Sequence, residues 1–402
     1  MVHQSFLYQL PNNRSVWAAI ALAIPVYFIA FLGPSPFIQG LAYLTYPAAL
    51  LGWYLSCPSV KVSRYFLMTL TVFLALWITP SMVNLYGGTL ESDAINIPVI
   101  SYHFVILPLA LAWLYLWQKG ISDQEWLDFG RHLCILITPI FIILILKILM
   151  GIYVEGKEQA WGFTYRHLDA EMFLLWAMLV YFMKNGWLKL IITSVALMAM
   201  VWMSVRGGLL AAILFIVLAY VAPKLKNIHV NRKVLLSLAG GALVVLLFHA
   251  QLYGWLDQIF YLESRSRGWS NGITGRFGIW QVAWENIMAH PWSGIGYYVR
   301  PNPFNDPYNA GIQVHNLFLR IWVENGTPLF LFVVALLVAT ARQIEKHKLT
   351  WERAAFWSIL CYYFFIPRHI QLNPMTIILY LIVIRSLIYT GVDKKGKAMS
   401  NV

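Results

Sequence analysis

Uninterrupted apolar blocks, each close to the roughly 20 residues a helix needs to cross a bilayer, recur along nearly the whole chain. That repetition fixes the solvent before any motif is considered. Of the 402 residues, 60% are hydrophobic and 11% charged, whereas a soluble domain carries roughly twice that charged share. The 18 tryptophans and 22 tyrosines suit aromatic belts at membrane interfaces. The expected fold is therefore an all-α polytopic membrane protein.

The blocks read as twelve spans, at 15–33, 36–55, 64–83, 96–118, 132–154, 168–184, 187–205, 207–222, 232–252, 315–341, 352–367 and 373–390. The first follows Arg14 and lacks a small-residue cleavage site, so it reads as a spanning helix and not a removable leader. Cys57, Cys134 and Cys361 fall in separate segments without metal-ligand spacing and read as small buried hydrophobes.

Charge sets the orientation. With the N-terminus inside, most lysines and arginines fall in the inward segments, among them Lys61, Lys119, Arg131, Lys184, Lys189, Lys224, Lys346, Arg353 and the Lys394–Lys397 tail. The outward segments hold Lys157, Arg166, Arg206, Arg265, Arg267, Arg276, Arg300 and Arg368. This asymmetry predicts both termini in the cytoplasm. It also predicts a residue type, because every outward base but Lys157 is arginine. Orientation needs only positive charge, but arginine adds a planar fork of donors that grips phosphate in a bidentate manner.

Three regions follow: spans one to nine (1–252), a long outward loop (253–314), and spans ten to twelve with a cytoplasmic tail (315–402). A long polar excursion on one face of a bundle is where function concentrates. Its stretch WSNGITGRFGIWQVAWENIMAHP predicts a turn and then a helix, N-capped by Thr274 and stopped by His290-Pro291. Phe277, Trp280, Trp284 and Ile287 or Met288 recur at helical spacing, giving a face for the membrane surface or the bundle.

Three outward helix starts then carry charge: Arg206 before span eight, Arg276 at the head of the loop helix, and His315 at the head of span ten. Cations are unfavourable at a helix N-terminus, so a bound anion would offset the cost. Gly207 and Gly208 would let a bulky group approach the backbone beside Arg206. Positive potential at a helix start disfavours imidazolium and leaves a neutral His315 able to accept a proton, as a general base would. The same histidine could instead cap its helix. Asn316 could orient a ring or act as the cap. Arg320 and Glu324, at i and i+4, could pair with each other or face a ligand. Arg265, Arg267, Arg300 and Arg166 are further outward candidates for binding a diphosphate or a glycan.

A lipid-linked diphosphate donor would use all of these groups. Its tail lies between helices, arginines hold the diphosphate, and the base deprotonates an acceptor hydroxyl. Outer-face acids such as Asp257, Glu263, Glu285 and Asp306 are scattered, and no phosphate-cradling glycine loop or internal repeat occurs.

In order and spacing, SVRGGLLAAILF, GRFGIWQVAWENIMAHPWSGIGYY and VHNLFLRIWVENGTPLFLF resemble the signature regions of the O-antigen ligase and polymerase superfamily. The resemblance covers the C-terminal half. It implies about twelve transmembrane helices, a periplasmic loop over a lipid-exposed cavity and a likeness to GT-C glycosyltransferases. By that resemblance Arg206 and Arg276 would engage undecaprenyl diphosphate, and His315 would activate the acceptor hydroxyl, with inversion. It implies a metal- and ATP-independent transferase in the bacterial inner membrane, its site facing the periplasm. YRHLDAEMF, with Arg166, departs from the small-residue and asparagine character of the matching family region.

The implied partners are the undecaprenyl-diphosphate-linked glycan donor, the lipid A-core acceptor and membrane lipids; neither cofactor, metal nor nucleic acid is expected. Chain length and the single dominant loop favour a ligase, with O-antigen polymerase as the alternative. A lipid-linked oligosaccharide flippase is the reading from another class, but it predicts two similar halves and has no use for a base at a helix start.

Overall fold

A computed structural model describes residues 14–32, 45, 48, 63–86, 107–119, 121–149, 166–202, 205–225, 269–295, 314, 316–365 and 374–399. Apart from residues 45 and 48, the spans predicted at 36–55 and 232–252 lie outside these residues, as does most of the loop around its helix. All regular structure among the described residues is helical.

In chain order the helices are α1 (Arg14–Leu32), α2 (Arg64–Tyr86), α3 (Leu107–Lys119), α4 (Asp123–Leu149), α5 (Arg166–Leu179), α6 (Gly186–Trp202) and α7 (Arg206–Ile216). A π-helical turn (Val217–Val221) extends α7. The loop helix α8 (Trp269–Ala289) precedes α9 (Leu317–Lys346), α10 (Thr350–Phe365) and α11 (Pro374–Met399). Residues Asp123–Leu146 and Leu317–Lys346 are each long and apolar enough to cross a membrane, and several shorter apolar helices accompany them.

Two boundaries correct the hydropathy reading. Helix α4 starts at Asp123 and not near residue 132, because its first turns are amphipathic: Trp126 and Phe129 are buried while Gln124 and Leu127 are exposed. Ser122 and Glu125 form a reciprocal capping box there, with the Ser122 N–H donating to Glu125 Oε2 at 2.7 Å and the Glu125 N–H donating to Ser122 Oγ at 3.2 Å. Helix α11 runs to Met399, past the predicted end at 390, since the lysine-bearing tail continues the helical backbone.

Packing sorts the helix ends. At one end, Arg385 of α11 reaches Asp123 of α4 (Nη2 to Oδ1, 2.6 Å) and Glu352 of α10 (Nε to Oε1, 3.3 Å), with its guanidinium over the Trp126 ring at 4.8 Å. Trp351 of α10 donates from Nε1 to the Met178 carbonyl of α5 at 2.9 Å and meets the Phe182 ring at 4.8 Å. Tyr181 contacts Tyr220 beyond α7 at 5.6 Å, while Lys189 of α6 lies 5.3 Å from the Tyr181 ring. His347, which ends α9, stacks on Tyr389 of α11 at 4.6 Å. The starts of α4, α6 and α10 therefore share one end with the finishes of α5, α7, α9 and α11. This is the end where the charge asymmetry puts Arg131, Lys184, Lys189, Lys346 and Arg353. The starts of α5, α7 and α9 consequently point toward the opposite end.

Candidate functional site

That opposite end is built around the start of α9. Asn316 has an extended backbone (φ −162°), and its Oδ1 accepts from the N–H groups of Phe318 at 2.9 Å and Leu319 at 3.1 Å. Of its two predicted roles Asn316 takes the cap, which satisfies two donors that a helix start leaves open. The Asn316 N–H donates to the Val314 carbonyl at 2.8 Å. His315 is the residue between them and lies outside the described residues.

One turn further in, Arg320 Nε donates to Glu324 Oε1 at 2.7 Å, and both side chains are buried. The i,i+4 pair is thus formed, spanning the first two turns of α9. Within a membrane protein such a pair keeps two charges that would otherwise be very costly to bury.

Helix α9 breaks immediately after this pair. Gly326 takes φ 78° and ψ 176°, a conformation glycine adopts without strain. The Thr327 N–H, which would bond the Val323 carbonyl in an unbroken helix, donates instead to the Pro291 carbonyl at 2.7 Å. The Val323 carbonyl accepts from the Ile295 N–H at 2.8 Å. One intrahelical bond is exchanged for two bonds to the turn that follows α8. Gly294 (φ 64°) makes the approach possible, since a Cβ there would sit 2.6 Å from the Glu324 carbonyl oxygen. A Cβ at Gly326 would sit 2.2 Å from the Trp292 carbonyl oxygen. Gly294 of PWSG and Gly326 of VENG are therefore the two halves of one backbone contact. The sequence marks them only as turn residues, and no local signal pairs them.

Helix α8 is held over α9 by this contact and by a small apolar cluster in which Ala283 and Ile287 pack with Val314 and Val323. Trp284 meets Trp322 edge-on at 5.7 Å, and Trp280 meets Phe364, near the finish of α10, edge-on at 6.0 Å. The loop helix packs on the bundle, one of its two expected placements, and ends before His290-Pro291 as the sequence predicts.

Its start differs. Helix α8 begins at Trp269, so Thr274 lies inside it and is not its N-cap, and Arg276 lies about two turns in. The residues before Thr274, expected to form a turn, belong to the helix from Trp269 onward. The dipole rationale for Arg276 is removed, while its place on the helix docked over α9 stands. Arg206 is the first residue of α7, as expected, and Arg166 is the first of α5. Gly208 does not open the backbone to a ligand: its Cα faces Met200 and the Ala170 methyl, with 3.5 Å separating a Cβ there from Ala170 Cβ. Its smallness serves close packing of α7 on α5. Arg265, Arg267 and Arg300 lie outside the described residues.

The candidates are connected through packed helices: α8 on α9, α9 on α10, and α10 on α7, which also packs on α5. No curated protein matches the chain. Residues 190–334, from within α6 to midway along α9, match the family described as O-antigen ligase. That family is one of membrane glycosyltransferase-like enzymes with lipid-linked glycan substrates. The match encloses the positions of Arg206, Arg276 and His315 and supports a likeness to the O-antigen ligase and polymerase superfamily over that part of the chain.

Proposed function

We propose that the protein is an O-antigen ligase, moving O-antigen polysaccharide from undecaprenyl diphosphate to lipid A-core oligosaccharide at the periplasmic face of the inner membrane. One observation carries the reading: the helix start that follows His315 and the helix start at Arg206 share an end of the bundle, with the Arg276-bearing helix docked at that end. A neutral His315 takes the proton of an acceptor hydroxyl, whose oxygen attacks the anomeric carbon from the face opposite the diphosphate. The new glycosidic C–O bond forms as the bond to the diphosphate breaks, with inversion. The leaving electron pair rests on a diphosphate oxygen, where Arg206 and Arg276 would stabilise the added charge. Because the donor already carries a good leaving group, the step draws on neither ATP nor a metal. Arg166, at the neighbouring helix start, extends the basic rim; Arg265, Arg267 and Arg300 are further candidates on the loop. Asn316, Arg320 and Glu324 support the site through the cap and the buried pair.

Deletion of the gene followed by a glycan gel tests this. Loss of all polymer from lipopolysaccharide, with lipid-linked polymer accumulating, is the expected result. Core bearing one repeat unit would identify a polymerase instead, and repeat units stranded on the cytoplasmic side would identify a flippase.

A further inference from the structure

Helix α8 has a flank that the proposed chemistry does not use and that the bundle contact covers only in part, at Trp284. Around its circumference, Ala283 and Ile287 form the buried stripe against α9. Beside that stripe stand Trp284, 49% exposed, and Met288, 63% exposed, and Trp292, 77% exposed, lies in the non-helical turn after the helix ends. Beyond them lies a polar edge, where Gln281 Nε2 donates to Glu285 Oε1 at 3.2 Å and both residues are exposed. The order around the helix is thus protein, apolar flank, water-compatible edge.

The flank continues into the outer surface of the bundle. Trp284 meets Trp322 edge-on, Trp322 stacks on Phe330 at 4.3 Å with rings 6° from parallel, and Leu331 beside it is 58% exposed on α9. Helix α9 is, among the described residues, one of two long and apolar enough to cross a membrane, so its exposed apolar surface is suited to lipid. Tryptophan favours the headgroup boundary, where its ring is apolar and its N–H remains solvated. A glycan platform would instead need polar groups facing outward among the rings, and here Gln281 and Glu285 bond each other.

We propose that the flank formed by Trp284 and Met288 of α8, with Trp292 of the turn that follows, rests in the headgroup region of the membrane, so that lipid forms the third side of the loop helix. The loop would then be seated by the bilayer as well as by α9, and this holds whichever reaction the site performs.

Site-directed spin labelling of the full chain in phosphatidylethanolamine–phosphatidylglycerol nanodiscs tests this, with the native cysteines replaced and Met288→Cys or Glu285→Cys carrying a nitroxide. The Met288 label should be relaxed more by oxygen than by a water-soluble nickel chelate, and the Glu285 label the reverse. Trp292→Cys provides a second reporter should Met288→Cys fail to fold. A Met288 label relaxed mainly by nickel would place the flank in water and overturn the proposal. A label shielded from both would show that another part of the chain covers the flank, and would overturn it equally.

Discussion

Single atoms control the junction between the loop helix and α9. A methyl group at Gly326 meets the Trp292 carbonyl oxygen and forces a side chain into φ 78°. Gly326→Ala should therefore cost about 1–3 kcal/mol in backbone strain alone, with overpacking added, and appear as a lowered Tm in detergent. An unchanged Tm would mean that the α8–α9 junction does not contribute to stability. The reacting groups behave differently. His315→Ala should fold normally yet lose transfer by roughly 100-fold or more, the share a positioned base supplies. Full activity in a purified assay would remove the histidine from the mechanism. Arg206→Lys and Arg276→Lys retain charge but lose the bidentate fork, and both should fail to restore polymer to lipopolysaccharide in a deletion strain. Complementation by both would exclude diphosphate binding at these positions. Residue chemistry was partly legible where one side chain acts locally: the Asn316 cap and the Arg320–Glu324 pair were each one of two roles that spacing left open. The Gly294–Gly326 contact was not, because closeness between residues on separate helices leaves no mark on either stretch.

Among the helices, α9 combines the most functions: a capped start, a buried ion pair, a break and a long apolar run. The pair separates two kinds of substitution. Arg320→Ala leaves the Glu324 carboxylate buried without this partner and should cost roughly 3–5 kcal/mol, whereas Arg320→Leu combined with Glu324→Leu removes both charges and should cost much less. Equal destabilisation by the two variants, measured by thermal unfolding, would show that the ion pair is not what the site protects. Sequence periodicity located the helices well where they are uniformly apolar, as in α1 and α2. It misplaced the beginning of α4 and of α8, where amphipathic turns and small residues precede the apolar run and packing against aromatic neighbours extends the helix. The helical glycines near the head of α8 show that low propensity does not by itself break a helix.

Across the molecule, the helix ends sort into two groups, one tied by Arg385, Asp123, Glu352 and the surrounding rings, the other carrying the candidate site. Charge asymmetry predicts the first group in the cytoplasm. A single cysteine at Gln124 should thus react with an impermeant maleimide only after the inner membrane is opened, while one at Glu285 should react in intact spheroplasts. Labelling of both from the same side would invert the arrangement and remove the site from the periplasm. The alternation of ends was readable from composition and charge, since a chain of spans has only two ways to face. How the helices lie beside one another was not, because the apolar surfaces of such helices are chemically alike and only side-chain fit distinguishes their neighbours.

The exchange of backbone bonds at Gly326 has a consequence for the continuity of the polypeptide. A membrane helix interrupted at that depth needs a substitute strand of carbonyls and amides, and here residues 291–295 supply it from upstream. The graft is non-covalent in origin, so a protease cut anywhere between Ile295 and Val314 should leave the two fragments co-purifying, the severed loop still completing the helix it no longer leads into.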